Sequence, residues 1–282
     1  MRSVFNFSDK ADQDRFDNVI LLFIIAVGGI LRFYGFSDIP LTHDELSAVL
    51  RLDFDTFREL IEYGVKEDGH PAGVQVSLYY WTKLFGITEE TVKFPFLLMG
   101  LGSIPLAYFI SRKWFNSTVA LLAAAYMASL QYHIMYSQIA RPYISGLFFC
   151  LLMVLFWTRF TFENGRGRIT DAAGFVLSAA FCSYNHHFSL LFAIIVAITG
   201  LFLIEKRKLN MYAGSLAAIV EFYIPNLPIF FYQFNKSGLN WLGEPGFSFF
   251  IEYIQYIFHF STAVYLTVFV FFLAGIFLHR SG

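Results

Sequence analysis

Eight long runs of apolar residues, nearly free of charge, constrain the fold of this chain more than any other feature. A bilayer core of about 30 Å needs roughly 20 apolar residues in a helix, so each run is a candidate membrane span. The chain is 57% hydrophobic and only 15% charged, against roughly 45–50% and about 25% in soluble domains. These values exclude a soluble globule, a disordered chain and a disulfide scaffold. They predict an all-α polytopic membrane protein with about eight transmembrane helices. The runs cover residues 19–31, 94–110, 117–135, 143–157, 172–184, 188–204, 211–231 and 257–278.

Basic residues between the runs predict the orientation, because cytoplasmic loops of membrane proteins carry an excess of Lys and Arg. With the N-terminus inside, twelve of the 20 Lys and Arg residues lie on the cytoplasmic side. An even number of spans then places the C-terminus in the cytoplasm too. We expect a plasma or inner membrane protein whose first span is an uncleaved signal anchor. The net charge of −1 gives no indication of a nucleic-acid partner, and Cys150 and Cys182 are expected to be buried as small apolar residues.

The segment 37–92 is the longest predicted outer loop and is expected to be folded. Apolar residues recur in it at three- and four-residue steps from Leu46 to Ile61, which predicts amphipathic helices lying in the membrane interface. Thr56 and Glu59 have the spacing of a capping box. The stretch from Val74 to Phe85 predicts a further apolar helix. The predicted organisation is a cytoplasmic tail of residues 1–18 followed by a transmembrane module of residues 19–282. The module contains this loop and a second outer loop, residues 234–256.

Two motifs in the first outer loop contain side chains that are suited to catalysis. The first places His43, Asp44 and Glu45 just beyond the first span. Adjacent carboxylates can bind a cation or take a proton from a hydroxyl, although acidic residues also commonly occupy solvated helix N-termini. The second is DGHPAG with His70, and a single histidine in a turn is ordinarily structural. Both interpretations of each motif stay open at this point.

The order of these motifs resembles the polyprenyl-phosphate-sugar glycosyltransferases of the C-type fold. That superfamily includes protein O-mannosyltransferases, the lipid A aminoarabinose transferase and related dolichyl-phosphate-mannose mannosyltransferases. The similarity is close over residues 21–152 and rests on LRFYGF, LTHDELSAV, GHPAG, the basic turn RKWFN and SQIARPYISGLFF. A looser echo follows in SYNHHFSLLF and GLNWLGEP. Where the family usually has His-Pro-Pro, this chain has Ala72 in place of the second proline.

The resemblance implies an active site at the outer face and a role for several residues. Asp44 matches the family's catalytic acid, with Glu45 beside it, as general base or as the group that orients the acceptor hydroxyl. Arg141 matches a recurring arginine and implies contact with the donor phosphate. Some family members use a divalent metal and others do not, so the metal stays unknown. The implied partners are a polyprenyl-phosphate-sugar donor, a glycan, lipid or protein acceptor, and the bilayer.

The chemistry of such a donor agrees with these assignments. A lipid-linked sugar presents its phosphate at headgroup level, where an outer arginine with neighbouring tyrosine and histidine donors is required. Displacement at the anomeric carbon needs one base, so we expect one essential carboxylate and inversion rather than a hydrolase with two. Histidine side chains are also common metal ligands, although their ordinary preference for the interface explains them equally well. The candidate binding residues are His43, His70, Arg141, Tyr143, His186, His187 and Trp241.

Two other functional classes compete with a transferase. The first is a non-catalytic membrane protein, either a lipid or solute transporter or an inactive relative that serves as an assembly partner. Transporters tend to show internal repeats and polar groups at mid-depth, whereas the polar residues here concentrate at one face. The second is a hydrolase of lipid-linked sugars, for which no serine nucleophile motif occurs. Relatives in the superfamily generally carry more spans, so we expect this chain to be a piece that retains the catalytic module.

Overall fold

The protein is helical throughout the part of the chain that the structure describes. A computed structural model describes residues 10–163, 169–236 and 246–280, and these ranges contain no β-strand. The helices are α1 Lys10–Phe33, α2 His43–Leu50, α3 Phe57–Glu59, α4 Ala72–Phe85, α5 Glu89–Trp114, α6 Ser117–Ser129, α7 Gln131–Ser137, α8 Ile144–Phe162, α9 Ile169–Asn185, α10 His187–Leu203, α11 Leu209–Tyr223, α12 Leu227–Asn235, α13 Phe249–Ile257 and α14 Thr262–Arg280. A π-helical turn, Leu60–Val65, continues α3, and 3₁₀ turns at Lys206–Lys208 and Ile224–Asn226 flank α11.

Each of the eight predicted apolar runs is helical, although 117–135, 211–231 and 257–278 are each divided between two helices. By length and composition, four described segments can cross a membrane: Ala11–Phe33, α5, α8 and the segment Lys206–Asn235. Two bent pairs raise the number to six, namely α6 with α7 and α13 with α14. The remaining two runs form α9 and α10, which have 17 residues each. The prediction of an all-helical, multi-pass membrane protein is confirmed.

Two of the buried basic side chains complete helix ends rather than pairing with acids. The Arg32 guanidinium donates to the carbonyls of Met127 at 2.7 Å and Ala128 at 3.0 Å, at the C-terminal end of α6. Lys208 donates from Nζ to the carbonyls of Phe160 and Glu163 at the end of α8. The last carbonyls of a helix lack partners within it and carry the negative end of its dipole, so a buried cation stabilises them. Arg32 thereby stabilises the free carbonyls at the 56° break between α6 and α7.

The first long loop folds as a cap over one end of the bundle. Helices α2, α3 and α4 occur where the sequence predicts helices in this loop, and Thr56 forms the predicted capping box with Glu59. Within the cap, α4 is joined to the end of α2, because the side-chain amide of Gln75 donates to the carbonyls of Ala48 and Arg51. The apolar side chains of the cap join the ends of α5, α8 and α12 in one core. The buried members of this core are Leu52, Leu60, Val65, Ala72, Val74, Leu78, Tyr79, Val92, Phe96, Ala140, Ile144 and Ile229.

Candidate functional site

The adjacent acids at the start of α2 point in opposite directions. Glu45 is 1% exposed, and its carboxylate accepts hydrogen bonds from the backbone N–H and the hydroxyl of Thr42, both at 2.8 Å. The other Glu45 oxygen accepts from the N–H of Ala140 at 2.7 Å, in the connection between α7 and α8. Glu45 therefore caps α2 and ties the cap to the bundle.

Asp44 presents its carboxylate to solvent beside this tie. Its side chain is 63% exposed, and its Oδ1 lies 4.0 Å from Nδ1 of His43, which is itself almost fully exposed. Consecutive residues of a helix point about 100° apart, so burial of Glu45 leaves Asp44 turned outward. Of the two acids, Asp44 alone has a carboxylate that is open to a substrate.

Arg141 lies in the α7–α8 connection and binds a carboxylate that no sequence motif assigned to the site, that of Asp68. The two terminal nitrogens of its guanidinium donate to the two oxygens of Asp68 at 3.3 and 3.2 Å. One of those nitrogens also lies 3.0 Å from Nδ1 of His70, which is 3.2 Å from Asp68. The Arg141 side chain is only 6% exposed. The predicted donor-phosphate residues Arg141 and His70 thus lie together, with Asp68 between them.

The electrostatics of Asp68 show what this carboxylate can do. Burial raises its pKa, but hydrogen bonding from His70 and the charge of Arg141 outweigh burial and hold the pKa below its ordinary value. Arg51 of the cap adds a further ion pair with Asp68 at 3.2 Å. A carboxylate so strongly held in its charged form is a poor proton acceptor, so Asp68 orients cations rather than acting as a base.

Tyr143 links this buried cluster to Asp44. It is 39% exposed and packs edge-on against Tyr136 of α7, with ring centroids 4.9 Å apart. Burial raises the pKa of Tyr143, the charge of Asp44 raises it further and Arg141 lowers it. The phenol is therefore within electrostatic reach of both the exposed acid and the buried arginine.

The two histidines between α9 and α10 take different positions around the cluster. The ring of His186 lies 5.0 Å from the ring of His70, and its Nδ1 accepts from the N–H of Phe188 to cap α10. Burial lowers the pKa of His186 to about 4, so the imidazole is neutral at physiological pH. His187 lies against α12, with its ring 5.6 Å from the ring of Phe230. Among the predicted histidines, His70 and His186 converge, whereas His43 stays outside the cluster at the surface.

A strap formed by α12 holds the loop that carries Asp68 and His70. The side-chain amide of Gln233 donates to the carbonyls of Val65, Asp68 and His70 at 2.9, 2.7 and 2.7 Å. Asn226, in the turn before α12, accepts from the N–H of Ala72 at 3.3 Å. These contacts span more than 150 residues of sequence, and no local pattern indicates them. They make α12 part of the site's scaffold.

An apolar groove of about 870 Å³ opens beside the cluster. It runs between α4, α5, α8 and α9 and ends at the 222–229 segment, and its walls are apolar except for a few polar groups such as Ser145 and Asn185. Ala72 and Tyr184 line it and are near neighbours in sequence of His70 and His186, so its polar end lies next to the Asp68 cluster. At Gly73, an added Cβ would lie 2.5 Å from the carbonyl oxygen of Tyr184, so glycine allows α4 to approach α9 closely here.

Two further predictions concern a metal and the second outer loop. Within the described ranges, no three His, Cys, Asp or Glu side chains are grouped so as to hold a metal ion. Trp241, predicted to stack on the donor, lies outside the described residues. Lys236, just before that gap, pairs with Glu67 of the cap at 2.5 Å.

The comparisons with known proteins decide the family. A family model described as dolichyl-phosphate-mannose-protein mannosyltransferase matches residues 69–229, more than half of the chain. The chain belongs to this family. No curated protein and no solved structure matches it. Membership makes the chain a multi-pass membrane glycosyltransferase of the mannosyltransferase type.

The mannosyltransferase match covers only part of the candidate site. It includes His70, Arg141, Tyr143, His186 and His187. It begins at residue 69, so the acids of α2 and the carboxylate of Asp68 lie before it. The roles of those acids rest on the geometry described above.

Proposed function

We propose that this protein transfers a sugar from a polyprenyl-phosphate-linked donor to an acceptor hydroxyl at the extracytoplasmic face of the membrane. The observation that carries the proposal is the exposed Asp44 carboxylate on the same cap as the buried cluster of Arg141, His70 and Asp68, with Tyr143 within electrostatic reach of both Asp44 and Arg141. A base and an anion-binding site so arranged are the two parts that displacement at an anomeric carbon requires. The acceptor, whether a glycan, lipid or protein, is approached from the solvent side of Asp44.

The donor is expected to lie across the cluster and the groove. Arg141 presents a guanidinium that matches phosphate geometry and is largely withdrawn from water, which strengthens its attraction for an anion. The isoprenyl chain is long and apolar, and the groove offers it an apolar channel that begins next to the same cluster. His70 and His186 complete the polar end of this channel. His187 is directed towards α12 and supports the wall rather than the donor.

The chemical step is a single displacement with inversion. The acceptor oxygen attacks the anomeric carbon while Asp44 takes the proton of its hydroxyl. The bond between that carbon and the phosphate oxygen breaks, and its electron pair stays on the phosphate. The phosphate leaves as a stable anion, so no second catalytic acid is needed. Glu45 positions Asp44 and the α7–α8 connection, and a divalent metal remains an optional addition to the phosphate site.

The orientation of the protein follows from charge. Basic residues concentrate in segments at the end of the bundle opposite the cap, where Arg112 pairs with Asp14 and Lys113 with Glu163. The positive-inside rule places that end in the cytoplasm and the cap outside. We therefore propose that both termini face the cytoplasm of a cell or inner membrane.

A transfer assay tests this function directly. The protein in lipid nanodiscs is given polyprenyl-phosphate mannose, radiolabelled in the sugar, with a panel of glycan, lipid and hydroxyl-peptide acceptors. The expected result is a labelled product of inverted anomeric configuration, which is lost in Asp44→Asn. Asp53→Asn is the matched control, because Asp53 is another exposed acid of the same loop. Transfer by Asp44→Asn at the wild-type rate would refute the assignment of the base.

A further inference from the structure

Arg51 at the end of α2 is a second guanidinium on the Asp68 carboxylate. Its Nη1 donates to the hydroxyl of Ser47 at 2.8 Å, and its Nη2 lies 3.2 Å from Asp68 Oδ1. The same oxygen lies 3.2 Å from a nitrogen of Arg141 and 3.2 Å from His70. The Arg51 side chain is 23% exposed, so it reaches the cluster from the solvent side while Arg141 reaches it from the bundle.

The charges around Asp68 do not balance. One carboxylate faces two guanidinium groups, Arg51 and Arg141. Arg51 also interacts electrostatically with Glu67, but the exposed carboxylate of Glu67 is already bound by Lys236 and by the Tyr232 hydroxyl at 2.9 Å. The cluster therefore retains an excess positive charge within a mostly buried site. Buried charges in proteins are ordinarily compensated, so this excess indicates that an anion binds here.

Unused hydrogen-bond donors lead to the same conclusion independently. The Nε atoms of Arg51 and Arg141 are both buried and neither has a hydrogen-bond partner, although the other nitrogens of both groups are engaged. Buried N–H groups are almost always satisfied. Each of the two guanidiniums that share Asp68 therefore retains one donor that the protein itself does not use.

We propose that Arg51 is a second phosphate-binding residue, acting with Arg141 on the donor, and that Asp68 is a positioning residue that holds the two guanidiniums as a pair. This inference rests on the proposed function and specifies its phosphate site. A phosphodiester donor carries one negative charge, which matches the excess charge of the cluster. As the sugar leaves, the phosphate gains a second negative charge, and the second guanidinium stabilises the charge that develops.

The pairing makes a specific prediction about affinity. A polyprenyl phosphate, the product, carries more negative charge than the sugar-linked donor. Arg51 should therefore contribute more to binding of the product than to binding of the donor. Inorganic phosphate presents the same oxygens without the chain, and comparison of its affinity with that of the lipid distinguishes a general phosphate site from a lipid-phosphate site.

The test is equilibrium binding to the full chain in nanodiscs, with undecaprenyl phosphate, undecaprenyl-phosphate mannose and inorganic phosphate as probes. Arg51→Met is expected to weaken undecaprenyl phosphate binding about 10-fold or more, the loss of one charge-assisted hydrogen bond, and to weaken donor binding less. Arg58→Met is the matched control, because Arg58 is an exposed arginine of the same loop. Equal affinities in Arg51→Met and Arg58→Met would overturn the proposal.

A double variant separates binding from folding. Arg51→Met alone leaves the Asp68 charge with one partner fewer and can weaken the fold, whereas Arg51→Met with Asp68→Asn removes both charges of the pair. Asp68→Asn alone is the reference, because Asp68 also binds Arg141. If Arg51 only neutralises Asp68, the double variant binds undecaprenyl phosphate as well as Asp68→Asn does, and the proposal is wrong. If Arg51 binds phosphate, the double variant is folded by its thermal melt and binds more weakly than Asp68→Asn. Wild-type protein that binds neither lipid would instead refute the proposed function.

Discussion

Replacement of Glu45 by glutamine changes the smallest number of atoms at the point where the cap meets the bundle. The carboxylate accepts three hydrogen bonds, two from Thr42 and one from the N–H of Ala140. A glutamine amide keeps one acceptor oxygen and places an NH₂ donor where the other oxygen stood. That NH₂ must then face a backbone N–H, of either Thr42 or Ala140.

The expected cost follows from these contacts. A hydrogen bond to a charged group contributes about 1.5–3 kcal/mol, and a buried donor without an acceptor costs a similar amount. Glu45→Gln should therefore lower the free energy of unfolding by about 2–3 kcal/mol. For a chain of this size, each kcal/mol corresponds to roughly 2–4 °C in Tm, so the shift is about 5 °C or more. Asp44→Asn changes an exposed side chain and should alter the stability by less than about 0.5 kcal/mol.

The two variants should therefore separate stability from chemistry. Thermal unfolding in one lipid composition is measured for both, together with transfer at a temperature below every transition. Asp44→Asn is expected to melt like the wild type and to lose about 100-fold or more in rate, the contribution of a general base. Glu59→Gln, in the exposed capping box of α3, controls for loss of a cap alone and should cost less. The reasoning is refuted if Glu45→Gln melts like the wild type.

Two further substitutions test the groove and the helix ends. Leu177→Trp fills the groove and should weaken binding of long-chain donors several-fold, with little effect on a donor of one or two isoprene units. The control is Leu191→Trp, because Leu191 lies outside the groove and is as exposed as Leu177 (51% against 50%). It should leave both affinities unchanged in the same nanodisc titration. Lys208→Met removes the ammonium that donates to the last carbonyls of α8 and should lower the stability by about 2–4 kcal/mol. Lys206→Met, on an exposed lysine of the same turn, should change the thermal melt little, and equal melts of the two lysine variants would contradict the capping role.

Much of the fold follows from local sequence patterns. The apolar runs locate the spans because a helix satisfies its backbone hydrogen bonds internally when it is buried in lipid. The capping box at Thr56 is predictable because it has a fixed local spacing. The break between α6 and α7 does not follow, because the group that binds its free carbonyls is Arg32 on another helix. The basic count places Arg32 on the outer side, and only the fold shows that its charge serves carbonyls of the bundle.

In the candidate site, too, motifs predict some residues, whereas others are identified only by contacts between distant parts of the sequence. His70, Arg141 and His186 are predicted from motifs, and the fold brings them together. Asp68 lies two residues before His70, at the start of the DGHPAG motif, and its position in that motif could have identified it as a site residue. Arg51 and Gln233 act through contacts with residues distant in sequence, for which periodicity and spacing give no indication. Glu45 is an intermediate case, because Thr42 followed three residues later by Glu45 is itself a capping-box spacing.

The hydrogen bonds that fix the cap to the bundle explain how one loop can position both the proposed base and the proposed phosphate site. Inverting displacement requires the base and the leaving phosphate on opposite sides of the anomeric carbon, so their separation must be constant. Glu45 binds the N–H of Ala140, and Asp68 binds the guanidinium of Arg141, the next residue. Two segments of the cap are thereby fixed to two consecutive residues of the bundle, one next to the proposed base and the other at the proposed phosphate site. A change at either tie should therefore lower the transfer rate even where donor affinity is preserved, because misplacement of the reacting groups by about 1 Å can cost 100-fold in rate.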